Sequence, residues 1–118
     1  MILSAPIFLL DPELSVLHSL QTLFHGAGYS TRGFVEPQGL FEDIRQGAPA
    51  ALVANACIPS MHGAHLVKRV LALQPQLPIL LLAEHSDIAT AVQALKSGAR
   101  HFIERPVSDR ILLEELES

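Results

Sequence analysis

The sequence is poor in the features that most often announce a chemistry. Its 118 residues include one cysteine, Cys57, so no internal disulfide can form and no C-x-x-C pair serves redox or zinc chemistry. That usage favours a reducing, cytoplasmic setting. Tryptophan is absent and aromatics make up 5%, which leaves few platforms for stacking bases or sugars. Eight Lys/Arg against twelve Asp/Glu leave a formal charge of −4, the wrong sign for gripping a phosphate backbone, so direct nucleic-acid binding is not expected. The longest apolar runs, such as Ile79 to Ala83, are strand-sized and fall far short of the roughly 20 residues of a membrane span. No membrane association is expected. Met1-Ile2-Leu3-Ser4-Ala5-Pro6 lacks the basic flank and long apolar region of a secretory signal.

Familiar catalytic patterns are missing too. Gly26-Ala27-Gly28 follows a helix and lacks G-x-G-x-x-G spacing, so it is not a dinucleotide loop. Ser15 and Ser19 have no organised His/Asp partner in the sequence, and no enzymatic activity is expected.

What is present is apolar material, 49% of the residues, enough for one buried core in one domain. Short apolar runs alternate with segments of helical period, the pattern of βα units around a parallel sheet. Ile7 to Leu10 reads as a central strand ending at Asp11-Pro12, followed by a helix that turns Leu14, Leu17, Leu20, Phe24 and Ala27 inward, with Gly26 and Gly28 as left-handed stops. Tyr29 to Val35 reads as a more polar edge strand. Pro37 opens a short helix with Leu40, Phe41 and Ile44 inward, ended by Gly47. Ala51 to Ala54 forms a third strand, and a loop with Pro59 and Gly63 leads to a helix carrying Leu66, Val67, Val70, Leu71 and Leu73.

Ile79 to Ala83 is the most apolar strand and should be buried on both sides. Ser86 is placed to N-cap a helix running through Ala89, Val92 and Leu95 to Gly98, whose small residues either pack closely or offer a contact face. His101 to Glu104 is the fifth strand. Ser108 to Leu116 is the last helix, with Ile111, Leu112 and Leu116 inward.

In an open parallel sheet, ligands sit at the carboxyl ends of the strands. The residues there are Asp11-Pro12-Glu13, Asn55-Ala56-Cys57, Ala83-Glu84-His85 and Arg105-Pro106. Together with Ile58-Pro59-Ser60-Met61-His62-Gly63 and Ala91 to Ala99, this set resembles the response-regulator receiver domain, most closely receivers of the FixJ and NtrC type. The resemblance covers essentially residues 1–118 and implies an α/β fold of the three-layer, doubly wound (βα)5, CheY-like or flavodoxin-like kind. Its parallel sheet would have the order 2-1-3-4-5, with two helices on one face and three on the other. Any output domain would lie beyond the C-terminus.

The resemblance also implies a chemistry. Typical receivers hold magnesium with two acidic residues after the first strand and an aspartate after the third, a hard-ion site of oxygen ligands. That aspartate takes the phosphoryl group, while a hydroxyl after the fourth strand and a lysine after the fifth bind its oxygens. Here the acidic pair becomes Asp11 and Pro12, the acceptor becomes Asn55, the hydroxyl position becomes Ala83 and the lysine position becomes Arg105. An amide is not a nucleophile at neutral pH, so phosphotransfer at this position is not expected, and magnesium binding should be weak or absent with no other cofactor or metal implied. Glu13 is read as a favourable charge at a helix start, although it could supply a second carboxylate. Arg105 either forms a forked pair with Asp11, replacing the missing ion, or stays solvated at a strand end.

The resemblance further implies a cis bond before Pro106 and places a switch-like pair at Ala83 and Phe102, with the Phe102 ring held inward. It points to the fourth helix, fifth strand and fifth helix as the output or dimer face, including Thr90, Ala91, Ala94, Leu95 and Phe102. The expected partners are proteins: a sensor kinase, an output domain or a second copy.

Six histidines raise a zinc reading for His62, His65 and His85, but their spacing is weak support because structural zinc usually has four ligands. His18 and His25 read as partly solvated, and Cys57 as a small semi-buried filler. The function expected is that of an atypical receiver, a signalling domain with no usable phosphoacceptor aspartate. Two other readings stay open: a pocket that binds a small anion or ligand through Arg105 and backbone amides after Asp11, and an unorthodox phosphoacceptor at Glu13 or Asp87.

Overall fold

The structure, a computed structural model, describes residues 5–118. Five parallel strands form one sheet: β1 (Ile7–Leu10), β2 (Thr31–Phe34), β3 (Ala51–Asn55), β4 (Ile79–Ala83) and β5 (His101–Glu104), in the spatial order β2-β1-β3-β4-β5. Helices α1 (Leu14–Gly26), α2 (Pro37–Gln46), α3 (Gly63–Leu73), α4 (Ile88–Lys96) and α5 (Asp109–Glu117) connect and follow them. This is the α/β architecture and strand order expected of a CheY-like receiver. A small antiparallel ladder, Cys57–Ile58 with Met61–His62, lies outside the main sheet.

Burial follows strand position. Every residue of β1 and β4 is buried, as apolar strands covered on both faces must be, whereas β2 at the sheet edge exposes Arg32 and Gly33. The alternating side chains divide the core in two. Phe8, Leu10, Leu52, Ala54, Leu81 and Ala83 meet α2, α3 and α4 on one face. Ile7, Leu9, Val53, Leu80 and Leu82 meet α1 and α5 on the other. Two helices on one face and three on the other is therefore the observed layering.

Several local expectations need correction. Tyr29 and Val35 lie outside β2, with Tyr29 buried in the α1 and α5 side of the core and Val35 exposed. Leu14 is 60% exposed because it begins α1 one turn before the buried stripe of Leu17, Leu20 and Phe24, and Ala27 is an exposed C-cap residue. Ile111 is 41% exposed; α5 instead seats Leu112, with Leu113 and Leu116 partly buried. Ser86 does not cap α4: it sits within a 3-10 turn, His85–Asp87, and Asp87 occupies the N-cap without a side-chain bond. Cys57 is exposed and free rather than semi-buried.

Close approaches explain two glycines. Gly98 follows α4 at φ +121, a conformation L side chains rarely adopt. A Cβ on Gly63 would stand 2.8 Å from the Ala56 carbonyl oxygen, so α3 can start this close to the end of β3 only without a side chain.

At the other end, the Tyr29 hydroxyl donates to Glu117, joining the turn after α1 to the last turn of α5. The bond to the Glu117 carboxylate, then burial, then the adjacent negative charge push the Tyr29 pKa up to about 12. No helix among the described residues is long and apolar enough to cross a membrane.

Candidate functional site

The carboxyl ends of β1, β3, β4 and β5 converge on one buried carboxylate. Asp11, directly after β1, is 1% exposed and is the buried charged residue of the core region. Burying a carboxylate is costly unless it is bonded. Its Oδ1 accepts the backbone N–H of Glu13 at 2.9 Å, and its Oδ2 accepts Asn55 Nδ2 at 3.2 Å.

Asn55, the last residue of β3, uses both ends of its carboxamide. While Nδ2 donates to Asp11, Oδ1 accepts the Cys57 backbone N–H at 2.8 Å, a local turn that fixes the side chain. The amide is thereby oriented: nitrogen towards Asp11, oxygen towards the chain leaving the strand.

Arg105, directly after β5, supplies the cation. Its Nη2 lies 3.7 Å from Asp11 Oδ2 and its Nε lies 3.4 Å from Glu84 Oε1, while the arginine side chain is 20% exposed. The forked Asp11 pair considered from sequence is thus replaced by a bridge: one guanidinium stands between a buried carboxylate and the exposed Glu84 at the end of β4. The Nε–Glu84 approach is an ion-pair distance without hydrogen-bond geometry, and Nε is shielded from solvent with no bonding partner. Glu84 was visible in the sequence beside the site but carried no assigned role. The signal for it was an acidic residue placed directly after a strand adjacent to the one bearing Arg105.

The other residues named from sequence distribute around this centre. Pro12 and Glu13 are exposed, and Glu13 occupies the α1 N-cap with no side-chain capping bond. The Arg105-Pro106 peptide bond is cis, and Pro106 is exposed. Ala83 is fully buried, and Phe102, half-buried, packs against the same side of the core. Ala91 and Ala94 are corrections: each is 0% exposed, because α4 turns them onto the core, so they cannot lie on a contact face. Thr90 and Leu95 are half-buried.

Among the described residues no three His, Cys, Asp or Glu side chains converge as a metal site. His62 and His65 are exposed at the start of α3, and His85 pairs instead with Glu104 at 3.3 Å.

Fold and strand-end site together define a class: the receiver domain of a two-component response regulator. The sequence pattern of the family described as the response regulator receiver domain matches residues 7–117, and the chain belongs to that family. It is 34% identical over 107 residues to the phosphoglycerate transport system transcriptional regulatory protein PgtA of Salmonella typhimurium, covering 91% of this chain and 26% of that protein. It is 31% identical over 112 residues to the transcriptional regulatory protein FixJ of Bradyrhizobium diazoefficiens, covering 95% and 55%. Crystallised full-length FixJ from B. japonicum superposes with a TM-score of 0.90 at 30% identity, over 97% of this chain and 56% of that one. A putative response regulator from Chloroflexus aurantiacus gives 0.87 at 26% identity, over 96% and 94%. The chain thus spans only 26% and 55% of the two curated relatives.

Proposed function

We propose that this receiver signals without aspartyl phosphorylation, as a pseudo-receiver acting through protein contacts. The observation that carries the reading is Asn55: a neutral amide, bonded at both ends, stands where the family resemblance expects the attacking carboxylate. A carboxamide offers no nucleophilic oxygen for an acyl phosphate at neutral pH. The carry-over of roles to Asp11, Pro12, Glu13, Asn55, Ala83, Arg105 and Pro106, and of a switch pair to Ala83 and Phe102, belongs to this reading.

The residues at the site do not fit magnesium. Both Asp11 oxygens are already engaged, the neighbouring donor is an amide, and Arg105 brings a positive charge within 3.7 Å of Asp11 Oδ2. A hard divalent ion needs several free oxygens.

Partners in this reading are a sensor kinase, an output domain or a second copy, the last through the α4, β5 and α5 face with Thr90, Leu95 and Phe102. An anion bound at Arg105 is the weaker reading, because Asp11 and Glu84 already flank the guanidinium and would repel it.

The test is incubation with acetyl phosphate, or with beryllofluoride, plus magnesium, followed by intact mass and amide chemical shifts. The expected result is an unchanged mass and no saturable shift around Asn55. A stoichiometric adduct overturns the proposal, and mapping it to Glu13 or Asp87 would establish an unorthodox acceptor.

A further inference from the structure

The charges of this acidic domain are unevenly spread. Arg32 pairs with Asp43, Arg110 with Glu114, and Arg105 with Asp11 and Glu84. Arg45, Lys68, Arg69, Lys96 and Arg100 have no carboxylate within ion-pair distance among the described residues, and of these Lys68 and Arg69 stand side by side on one helix, α3. The helix contains no acidic residue, and His62, at its N-cap, and His65 are exposed beside the two cations. A depression of about 450 Å³ on this face is lined only by His62, Ala64, His65, Lys68, Arg69 and Ala72.

Arg69 also borders a second cleft, of about 350 Å³, which includes Phe41, Met61 and Pro37 in its lining. Its guanidinium carbon lies 4.4 Å from the centre of the Phe41 ring. Held against the ring, the planar group loses less freedom on binding and keeps its edge N–H donors for a forked contact with a carboxylate. Glu36 and Glu42 line the α2 side of this cleft together with Arg45, so that side is mixed in charge with carboxylates in excess, whereas α3 presents cations alone. Carboxylates are therefore favoured over α3, and an apolar side chain against half-buried Met61 at the edge of the cleft.

We propose that the exposed face of α3, with the adjoining Phe41 and Met61 cleft, docks an acidic segment of a protein partner that carries an apolar side chain beside its carboxylates. Nucleic acid fits less well: the domain as a whole is negative, and Glu36 and Glu42 interrupt any basic track across the cleft. A two-fold contact with a second copy would set like charges against each other. The surface uses none of the Asp11 site residues, so its test is separate from that of the phosphorylation reading.

The experiment titrates the isotope-labelled 118-residue chain with an end-capped ten-residue peptide of Glu and Leu in helical alternation. The same peptide with Lys for Glu, and a short DNA duplex, are the comparisons. The Glu/Leu peptide is expected to shift the amides of Met61, His65, Lys68 and Arg69 saturably. The Lys68→Glu/Arg69→Glu chain should bind it at least about tenfold more weakly, as lost interfacial charge pairs do. An unchanged melting temperature shows that this variant folds, and Lys68→Gln/Arg69→Gln replaces it otherwise. The proposal is overturned if millimolar Glu/Leu peptide produces no saturable shift, if the shifts map elsewhere, or if the variant binds equally. Equal response to the Lys peptide, stronger binding of DNA, or the same shifts arising from protein concentration alone also overturn it.

Discussion

Asp11 is surrounded in the interior by neighbours of three kinds: a backbone amide, a carboxamide and a guanidinium. Removing one leaves a buried carboxylate short of a hydrogen-bond donor, or, for Arg105, short of its neighbouring positive charge, and either loss is costly. Arg105→Ala is therefore expected to lower unfolding free energy by about 1–2 kcal/mol, read from the denaturant midpoint at constant slope, and Arg105→Lys should recover part of the loss. Asn55→Asp should be destabilising at neutral pH by about 1–2 kcal/mol, read from the same denaturant midpoint, since it sets a second carboxylate against the first. The components of this site were legible in the sequence because they are the residues that directly follow apolar strands. The way Arg105 divides itself between Asp11 and Glu84 was not, because side-chain direction at a strand end depends on how neighbouring strands twist.

At the level of elements, α5 is held by apolar packing and by a polar contact near its end, with Leu113 and Leu116 partly buried beside the main anchor. Leu112 packs into the core, and the Tyr29 hydroxyl donates to Glu117 near the helix end. Tyr29 has a folded pKa of about 12, above its ordinary value of 10.0. The fold thus favours the protonated phenol, so this contribution to stability is fully present below pH 10.0 and is lost as pH rises towards about 12. Chemical denaturation across that alkaline window should show falling stability, and Tyr29→Phe should flatten the slope. At the start of α3, Gly63→Ala would press a methyl on the Ala56 carbonyl; a loss of about 1–3 kcal/mol is expected, as for other overpacked sites, measured by thermal melting. Helix existence was readable from apolar spacing. Exact faces were less so: Leu14 stands at the first position of α1, a turn before its buried stripe, and Ile111 is turned away from the face that seats its neighbour Leu112. Ser86 has cap chemistry, but the chain spends one 3-10 turn before α4 begins.

For the whole molecule, the sheet order and layering were legible through the resemblance to receivers; apolarity alone marked β1 and β4 as covered on both faces and polar β2 as an edge. The uneven hold on the helices of one layer was not. α3 buries Leu66, Val67 and Val70, whereas α4 buries only Ala91 and Ala94. Methyl groups bury little area and interlock weakly, so α4 gives up less than α3 when it opens. Amide exchange by mass spectrometry should find α4 losing protection before α3 under native conditions. A helix seated mainly by two methyl groups has few large side chains to withdraw when it shifts, Leu95 being the partly buried one packed on the core. A shift of α4 would then cost less than one of α3 and would need no covalent event at the strand ends to allow it.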